Sequence, residues 1–515
     1  MQLTKLTQQN MITLADKSLC CIELSPSYLD ELCVKYPVLE RFSLILDERS
    51  SKQGKYILNG KEISVRDYDA LAELDVSQWA FVITGDYYRE LYASLEANEY
   101  LADKVDTVYY FANTETEYEE EFREKYKNSA LENIIIFRSG PHITSYMKGM
   151  DFTDNARALF EYMLEQKFNE KYELVWLVKN PEEFTEYSKY ENVKFLPLEW
   201  SVSLKEEERA QYYRVLCLAK YIFFTDAYGI ARNSREDQIR VQLWHGCGFK
   251  TRLNFSPCEK RYEYMTVTSA LYAKIHSEVF GLRPHQLLVT GSAKGDWLFQ
   301  KSEVPYEEKL NFPNAKQYIY WMPTYRMAAE TLVQTNGYEV NPETGFPIVD
   351  TMDKMRQLNE VLAENKQVLV IKLHPYQNMD KIQKIDFSNI VLLDNARLFA
   401  QDIQINQLLG GADALISDYS SVAVDYLALD RPMAFMLEDV AEYEESRGFV
   451  FEHVRDWLPG QELYSYEDVC AFLNALAAGT DPSAEKRAKL RKQMNTFCDG
   501  DNCRRITDAL GINMQ

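Results

Sequence analysis

The sequence predicts an α/β protein whose parallel sheets are divided among more than one domain. Short apolar strands alternate with amphipathic helices through most of the chain, which is typical of parallel sheets covered by helices. This rhythm restarts after about residue 130 and again after about residue 285. The 515 residues also exceed what a single hydrophobic core normally supports. Together these observations predict three α/β units.

The first unit, residues 1–130, is predicted from strands at 19–24, 42–46, 80–84 and 107–111 and from an amphipathic stretch at 87–97. No Gly-x-Gly-x-x-Gly follows its first strand, so no dinucleotide site is predicted there. Asp47 ends the second strand, where a ribose-binding carboxylate would lie, but a turn residue is the favoured interpretation. The acidic stretch 114–127 is predicted to be a solvated surface helix or linker.

The second and third units, residues 131–285 and 286–515, are each predicted to be doubly wound. A helix at 153–166 can be capped by Thr153 or Asp154. Two such units in succession imply a cleft between them, and ligands of these sheets collect at the carboxyl ends of the strands. The predicted strands of the two units are 133–137, 174–178, 221–225, 287–289, 318–321, 368–371, 390–392 and 414–416.

Charge and composition exclude several classes of function. The formal net charge of −22 argues against a nucleic-acid partner, because such proteins normally present a basic field. The start of the chain lacks a signal-peptide pattern and no run of about 18–20 apolar residues occurs, so we expect a cytoplasmic protein. The nine cysteines lack zinc-finger spacing, and no metal or other cofactor is predicted. A local basic patch would suit a membrane surface, although a solvated rim is the alternative: Lys250, Arg252, Lys260 and Arg261.

The segment 241–250 (VQLWHGCGFK) places a histidine directly after an apolar strand. Gly246 and Gly248 allow the backbone to approach a ligand closely. His245 could then take a proton from an attacking hydroxyl, which typically contributes about 10²–10⁴-fold in rate. The alternative is a histidine packed at the end of a strand.

Two further segments place cationic side chains after strands. In 320–326 (YWMPTYR), Thr324 offers a hydroxyl and Arg326 a planar fork that matches phosphate oxygens, unless it is an ordinary surface arginine. In 370–376 (VIKLHPY), Lys372 and His374 alternate along the strand end and therefore point the same way. They could hold a diphosphate, with His374 stabilising the leaving phosphate; a buried histidine bonded to backbone is the alternative.

The segment 411–427 (GADALISDYSSVAVDYL) is the most informative. An apolar strand ends at Ser417 and Asp418, and Ser420 and Ser421 then open a helix. Hydroxyls and backbone N–H groups at a helix start form an anion site. The alternative, which does not exclude the first, is that Ser420 only caps the helix.

Read in order, these segments resemble the CDP-glycerol glycerophosphotransferase family, the teichoic-acid primases and polymerases. The resemblance covers residues 131–515, and the order and spacing of its blocks make it specific. Its blocks are Asp154-Asn155, 175–179 (VWLVK), 242–246 (QLWHG), Pro-Thr-Tyr-Arg, Lys-Leu-His-Pro, Asp413 with 416–421 (ISDYSS), 447–449 (RGF), Pro459-Gly460 and Asp499-Gly500.

The resemblance implies a GT-B fold with the acceptor half first and the CDP-polyol half second. Residues 1–130 lie outside it and look like the cofactor-free Rossmann-like accessory modules that accompany cell-surface polymer enzymes. It implies transfer of glycerol phosphate, or a related polyol phosphate, from CDP-glycerol or CDP-ribitol to a polymer or lipid-linked acceptor, at the inner face of the plasma membrane with peripheral association. His245 matches the acceptor-side general base and His374 the donor-side histidine. The implied donor-site residues are Thr324, Arg326, Lys372, Asp418, Ser420 and Ser421; the implied polyol or ribose contacts are Glu438 and Asp439; the implied acceptor-side residues are Trp244, Gly246 and Lys250.

The chain departs from the family pattern in two places. Gly291-Ser-Ala-Lys-Gly-Asp296 stands where Gly-x-Pro-Arg-x-Asp is usual, and Cys247-Gly248 replaces a small residue plus proline. Two other functions stay open from the sequence. One is a GT-B glycosyltransferase that uses a sugar nucleotide, and the other is a non-catalytic nucleotide-binding or scaffold protein.

Overall fold

The computed structural model places three mainly parallel β-sheets along the chain. The part of the chain that the structure describes comprises residues 1–14, 16–23, 29, 42–47, 54–58, 60–84, 88–98, 101, 104–140, 149–225, 230, 235–251, 262–323, 343–344, 346–372, 386–446 and 448–514. Three predicted site residues, Thr324, Arg326 and His374, lie outside these described residues.

The first sheet has seven strands in the order β1-β7-β6-β2-β3-β5-β4. Its strands pair in parallel except for the antiparallel hairpin β4–β5. Buried residues lie on both faces of the central strands β2 and β6, as expected for a parallel sheet covered on both sides. The strands are β1 Gln2–Lys5, β2 Ser18–Ile22, β3 Phe42–Leu46, β4 Gly54–Leu58, β5 Lys61–Arg66, β6 Trp79–Ile83 and β7 Thr107–Tyr110.

The second sheet also has seven strands, in the order β10-β9-β8-β11-β12-β13-β14, and its ladders are parallel. Its central strand carries the run of isoleucines at 134–136, which is buried on both faces. The strands are β8 Glu132–Ser139, β9 Glu173–Val178, β10 Val193–Pro197, β11 Ala219–Thr225, β12 Ile239–Gln242, β13 Tyr264–Val267 and β14 Leu287–Val289.

The third sheet has six parallel strands in the order β17-β16-β15-β18-β19-β20. The strand order reverses between β15 and β18, so a crevice is expected at their carboxyl ends. The strands are β15 Gln317–Trp321, β16 Gln367–Lys372, β17 Ile390–Leu393, β18 Ala414–Ser417, β19 Met433–Met436 and β20 Gln461–Leu463.

The α-helices pack around these sheets and connect their strands. They are α1 Gln8–Met11, α2 Tyr88–Glu96, α3 Thr114–Tyr126, α4 Asp154–Glu165, α5 Glu206–Leu218, α6 Ala270–Phe280, α7 Tyr306–Lys309, α8 Met352–Glu364, α9 Asn395–Phe399, α10 Ile405–Leu409, α11 Val422–Leu427, α12 Val440–Ser446, α13 Tyr466–Ala477, α14 Ala484–Met494 and α15 Asn502–Ala509. Short 3-10 helices include Leu198–Val202, Pro284–Gln286 and Ala293–Phe299.

The second and third sheets share one hydrophobic core. A single cluster of buried side chains includes Phe224 and Met265 from the second sheet and Leu415 and Phe435 from the third. The ring of Phe249, which follows β12, lies 6.3 Å from the ring of Phe435 on β19. Apolar packing therefore holds the two sheets together beside the cleft that the sequence predicts.

Most predicted strands agree with the structure to within two residues, but one lies in a different sheet. The strand Leu287–Val289, predicted to begin the third unit, pairs in parallel with β13 at the edge of the second sheet. A strand of three apolar residues could pair in either sheet, so its sequence alone does not predict which sheet it joins. The remaining strands of the third unit lie in the third sheet as predicted.

The prediction of a solvated acidic helix at 114–127 is wrong for one face of α3. Thr116, Glu119 and Phe122 are buried. The ring of Phe122 stacks on that of Tyr213 of α5, with centroids 4.9 Å apart. The tyrosine hydroxyl also donates to the carbonyl of Glu115 at 3.3 Å. Helix α3 therefore packs against the second unit through a face that mixes Phe122 with Thr116 and Glu119, and its acidic composition conceals this contact in the sequence.

Within the described ranges, none of the helices combines the length and the apolarity that a membrane crossing requires.

Candidate functional site

The candidate site begins with the loop that follows β12. The backbone of Trp244 takes a left-handed φ of 54°, and that of Gly246 a φ of 137°. The Nδ2 group of Asn155, at the start of α4, donates to the Trp244 carbonyl at 2.7 Å. The indole of Trp244 also meets the ring of Phe280 edge-on, with centroids 5.1 Å apart. These contacts hold the loop so that the His245 side chain stays 35% exposed at the cleft.

His245 contacts a carboxylate through its inner ring nitrogen. Its Nδ1 lies 3.0 Å from Oδ2 of Asp154. Burial opposes ionisation of Asp154, but Lys294 and His245 outweigh it and lower the pKa of this carboxyl to about 2. An ionised carboxylate can only accept, so Nδ1 carries the proton of this hydrogen bond. In neutral His245 the other nitrogen, Nε2, is therefore the basic atom.

The sequence offers Thr153 or Asp154 as the N-cap of α4, and Thr153 occupies that position, although its side chain makes no capping hydrogen bond. The Thr153 hydroxyl instead donates to Oε1 of Gln404, just before α10, at 2.6 Å. Asp154 itself has a left-handed φ of 61°, which turns its carboxylate towards His245. Capping preferences consider only neighbouring residues, so they do not predict that the Thr153 hydroxyl bonds to Gln404, which is distant in sequence.

Ser421 meets the histidine loop directly. Helix α11 starts at Val422, and its N-cap is Ser421, whose side chain makes no capping hydrogen bond. A Cβ built on Gly248 would lie 3.1 Å from Cβ of Ser421, and one on Gly246 would lie 3.6 Å from it. The sequence segments 241–250 and 411–427 are therefore in direct contact where the second and third units meet. The alternative that Ser420 caps this helix is not what the structure shows, since the N-cap is the next residue.

Lys372 ends β16, two strands away from β18 in the third sheet. Its Nζ donates to Oδ1 of Asn395 at 2.7 Å. Burial lowers the pKa of this ammonium group to about 8, and the charge of Asp394 opposes the shift. A lysine in this state is a cation at neutral pH that becomes neutral in mildly alkaline solution.

The remaining predicted residues occupy varied environments. Asp418 is buried directly after β18. Glu438 is exposed after β19, whereas Asp439 is buried and its Oδ1 accepts from the Tyr419 hydroxyl at 3.1 Å. Lys250 forms a backbone bridge with Phe449, and its Nζ lies 5.8 Å from the ring centroid of Tyr443. Lys250 is therefore part of the contact between the second and third units.

Two buried charged residues of the cleft were missed as site residues. Lys294 lies in the 3-10 helix Ala293–Phe299, with its Nζ 3.0 Å from Oδ1 of Asp154 and 3.6 Å from Oδ2 of Asp425. Asp425 lies in α11, all of whose residues are buried. The sequence does contain a signal for Asp425 as a site residue, because an acidic residue inside an otherwise apolar helix is rarely buried without a partner. Lys294 was noted only as a departure from the family pattern.

The chain is similar to known proteins of one family. The family model for CDP-Glycerol:Poly(glycerophosphate) glycerophosphotransferase matches residues 133–511. A teichoic acid poly(glycerol phosphate) polymerase of Staphylococcus epidermidis is 23% identical over 80% of this chain and 58% of its own length. A teichoic acid poly(ribitol-phosphate) polymerase of Bacillus spizizenii is 28% identical over 52% of this chain and 46% of its own. The match thus spans about half the length of these two relatives.

Solved structures show the same fold. The wall teichoic acid polymerase TagF superposes with a TM-score of 0.57 at 20% identity, over 77% of this chain and 92% of the other. The likeness, with its facing parallel sheets, confirms the predicted α/β architecture of GT-B type. Since the family model covers well over half of the sequence, the chain belongs to the CDP-glycerol:poly(glycerophosphate) glycerophosphotransferase family.

Proposed function

We propose that this chain transfers a polyol phosphate from a CDP-activated polyol, CDP-glycerol or CDP-ribitol, to a hydroxyl of a cell-surface polymer or its lipid-linked precursor. The acceptor oxygen forms a bond to the β-phosphorus, the phosphoanhydride bond to the α-phosphate breaks, and CMP leaves. Membership of the family supports this reaction, and the relatives named above are polymerases of glycerol phosphate and of ribitol phosphate.

One observation carries the proposal: the loop of His245 is in contact with Ser421. The imidazole comes from the second unit and the serine from the third, and Gly248 lets their backbones approach closely. This contact supports a site in which His245 acts as the base and the Ser421 hydroxyl binds phosphate. Phosphoryl transfer depends mainly on positioning and on neutralisation of charge, which such a site can supply.

In this proposal His245 is the general base, and Trp244, Gly246 and Lys250 lie on the acceptor side. The diphosphate is held by Lys372, Ser420 and Ser421, Asp418 belongs to the donor site without an assigned contact, and Glu438 and Asp439 lie towards the polyol or ribose. Thr324, Arg326 and His374 join the donor site on the basis of their sequence blocks. Helix α11 has only six residues, so its dipole is small and the hydroxyls and cations supply most of the affinity.

The role of His245 is tested by His245→Ala. The variant loses the base for the acceptor hydroxyl, so we expect CMP release from CDP-glycerol to fall by about 10²–10⁴-fold. Binding of CDP-glycerol, measured by calorimetry, should stay nearly unchanged because the donor site lies on the third unit.

His285→Ala is the matched control, since His285 is exposed in the 3-10 helix Pro284–Gln286 and should tolerate the change. Turnover of the His245 variant at the rate of the unmodified chain would end the general-base assignment. Parallel assays with CDP-ribitol and UDP-sugars identify the donor, and transfer from a UDP-sugar alone would instead support a glycosyltransferase.

The role of Ser421 is tested by Ser421→Ala. Loss of one hydrogen bond to a charged phosphate should weaken CDP-glycerol binding by about 1–3 kcal/mol. Ser388→Ala is the control, because Ser388 is exposed just before β17 at the amino-terminal edge of the same sheet. Equal donor affinities for Ser421→Ala and the unmodified chain would remove Ser421 from the donor site.

The role of Lys372 is tested by the pH dependence of donor binding. Burial lowers its pKa to about 8, so raising the pH from 7 to 9 removes the proton from most of the free enzyme. If the diphosphate binds only the charged form, affinity for CDP-glycerol should fall about tenfold over this range. Lys372→Arg, which keeps its charge, should bind equally at both pH values. A pH-independent affinity of the unmodified chain would contradict the assignment.

We further propose that the chain works in the cytoplasm, attached peripherally to the inner face of the plasma membrane. The support is the family's polymer acceptor and the basic segment that begins at Lys250. Three of its residues, Arg252, Lys260 and Arg261, lie outside the described part of the chain. Cell fractionation tests this: the chain should sediment with membranes at low salt and be released by high salt without detergent. Recovery in the supernatant at low salt would contradict it.

A further inference from the structure

A buried ammonium group links the two sides of the cleft beneath His245. The Nζ of Lys294 lies 3.0 Å from Asp154 of the second unit and 3.6 Å from Asp425 of the third. It also donates to the carbonyl oxygen of His245. The lysine side chain is 13% exposed and that of Asp425 only 2%. The two carboxylate contacts are ion pairs rather than hydrogen bonds, because Oδ1 of Asp154 makes no hydrogen bond within the described residues and 3.6 Å exceeds hydrogen-bond distance.

The backbone of Lys294 is held by the same residue that holds the histidine loop. Oδ1 of Asn155 accepts from the Lys294 backbone N–H at 3.0 Å and from the Ser292 hydroxyl at 2.8 Å. The amide group of Asn155 donates to the carbonyl of Trp244. The backbone of Lys294 is thus bonded to Asn155, which also holds the Trp244 carbonyl. Its side chain contacts Asp154 and the carbonyl of His245.

The net charge of this cluster would stabilise the protonated form of His245. Burial raises the pKa of Asp425 to about 6, because the charge of Asp154 adds to the effect and Lys294 only partly offsets it. Above this pH the buried group holds two carboxylates and one ammonium, a net charge of −1. An uncompensated buried charge is costly, and an imidazolium at His245 would remove it.

We propose that Asp154 and Lys294 are positioning residues for His245. Asp154 keeps the proton on Nδ1, which leaves Nε2 as the atom that accepts the proton of the acceptor hydroxyl. Lys294 holds the Asp154 carboxylate in place and ties it to helix α11 of the donor side. During transfer, the acceptor oxygen loses its proton to Nε2 and gains a bond to phosphorus, CMP leaves with the electrons of the broken bond, and Nδ1 keeps its proton. This inference rests on the proposed role of His245 as the base.

The same geometry would be found if the cluster only stabilised the contact between the second and third units. The variant Asp154→Asn distinguishes this structural role from the positioning of His245. Asparagine tolerates a left-handed backbone, so the φ of 61° at this position does not prevent folding. Its amide can donate to Nδ1, which moves the ring proton to Nε2. In the full chain with CDP-glycerol, we expect kcat to fall about 10²–10⁴-fold, as for a histidine base held in the wrong tautomer. The KM for CDP-glycerol should change less than about threefold.

The tautomer is read directly by ¹⁵N NMR of the chain labelled at its six histidines, with His245→Ala assigning the signal. Neutral His245 should carry its proton on Nδ1 in the unmodified chain and shift towards Nε2–H in Asp154→Asn. This readout needs no activity, so it tests the positioning role even if CDP-glycerol is not the donor. Asp154→Asn with the kcat or the tautomer of the unmodified chain would overturn the proposal.

The role of Lys294 is tested with one variant that removes its charge and one that keeps it. Lys294→Met should lower kcat at least tenfold and broaden or shift the His245 signal, whereas Lys294→Arg should restore most of both. Lys194→Met is the control for loss of an ion pair elsewhere, because Lys194 on the edge strand β10 contacts Glu173 at 2.8 Å. If Lys294→Met lowers only the melting temperature and leaves kcat and the tautomer unchanged, Lys294 has no positioning role.

Discussion

The close approach of Gly248 to Ser421 is the constraint on which the site depends. With a Cβ at this glycine, the two residues would be 3.1 Å apart, nearer than side chains normally pack. The absence of a side chain therefore sets how near the histidine loop can come to the first turn of α11. The ion cluster of Asp154, Lys294 and Asp425 lies beneath the same contact. The close packing and the ion pairs thus hold the histidine loop and α11 in the same relative position. This favours a site that is preorganised over one that is assembled on ligand binding.

The sequence predicted many of the buried strands because short apolar runs specify them. The predicted strands 133–137 and 414–416 are examples, and both lie within two residues of the observed bounds. The sheet to which a short strand belongs is harder to predict. Leu287–Val289 has three residues, too few for a distinctive pattern, and its partner β13 was itself not predicted. Strand membership then depends on tertiary packing, which local patterns do not contain.

For the candidate site, the sequence identified the segments that meet but not the residues that connect them. His245 follows an apolar strand of the second sheet and Ser421 one of the third, and ligand-binding residues of such sheets collect at the carboxyl ends of their strands. Asp154 and Lys294 act through contacts with residues 91 and 140 positions away. No local periodicity predicts such pairs, and capping preferences consider only neighbouring residues. The residue types were nevertheless informative, since charged groups in apolar surroundings usually have a specific counter-charge.

Helix α3 has a consequence for how the chain can be divided. Because Phe122 stacks on Tyr213, a protein cut at residue 130 would leave the aromatic surface of α5 facing water. Such a surface promotes self-association of a truncated product. A shortened version intended for crystallisation or biochemical assay would therefore keep the residues from Asn113 onwards, whose side chain caps α3 through the N–H of Thr116. The first sheet would be removed, and the helix would stay with the half of the molecule that it covers.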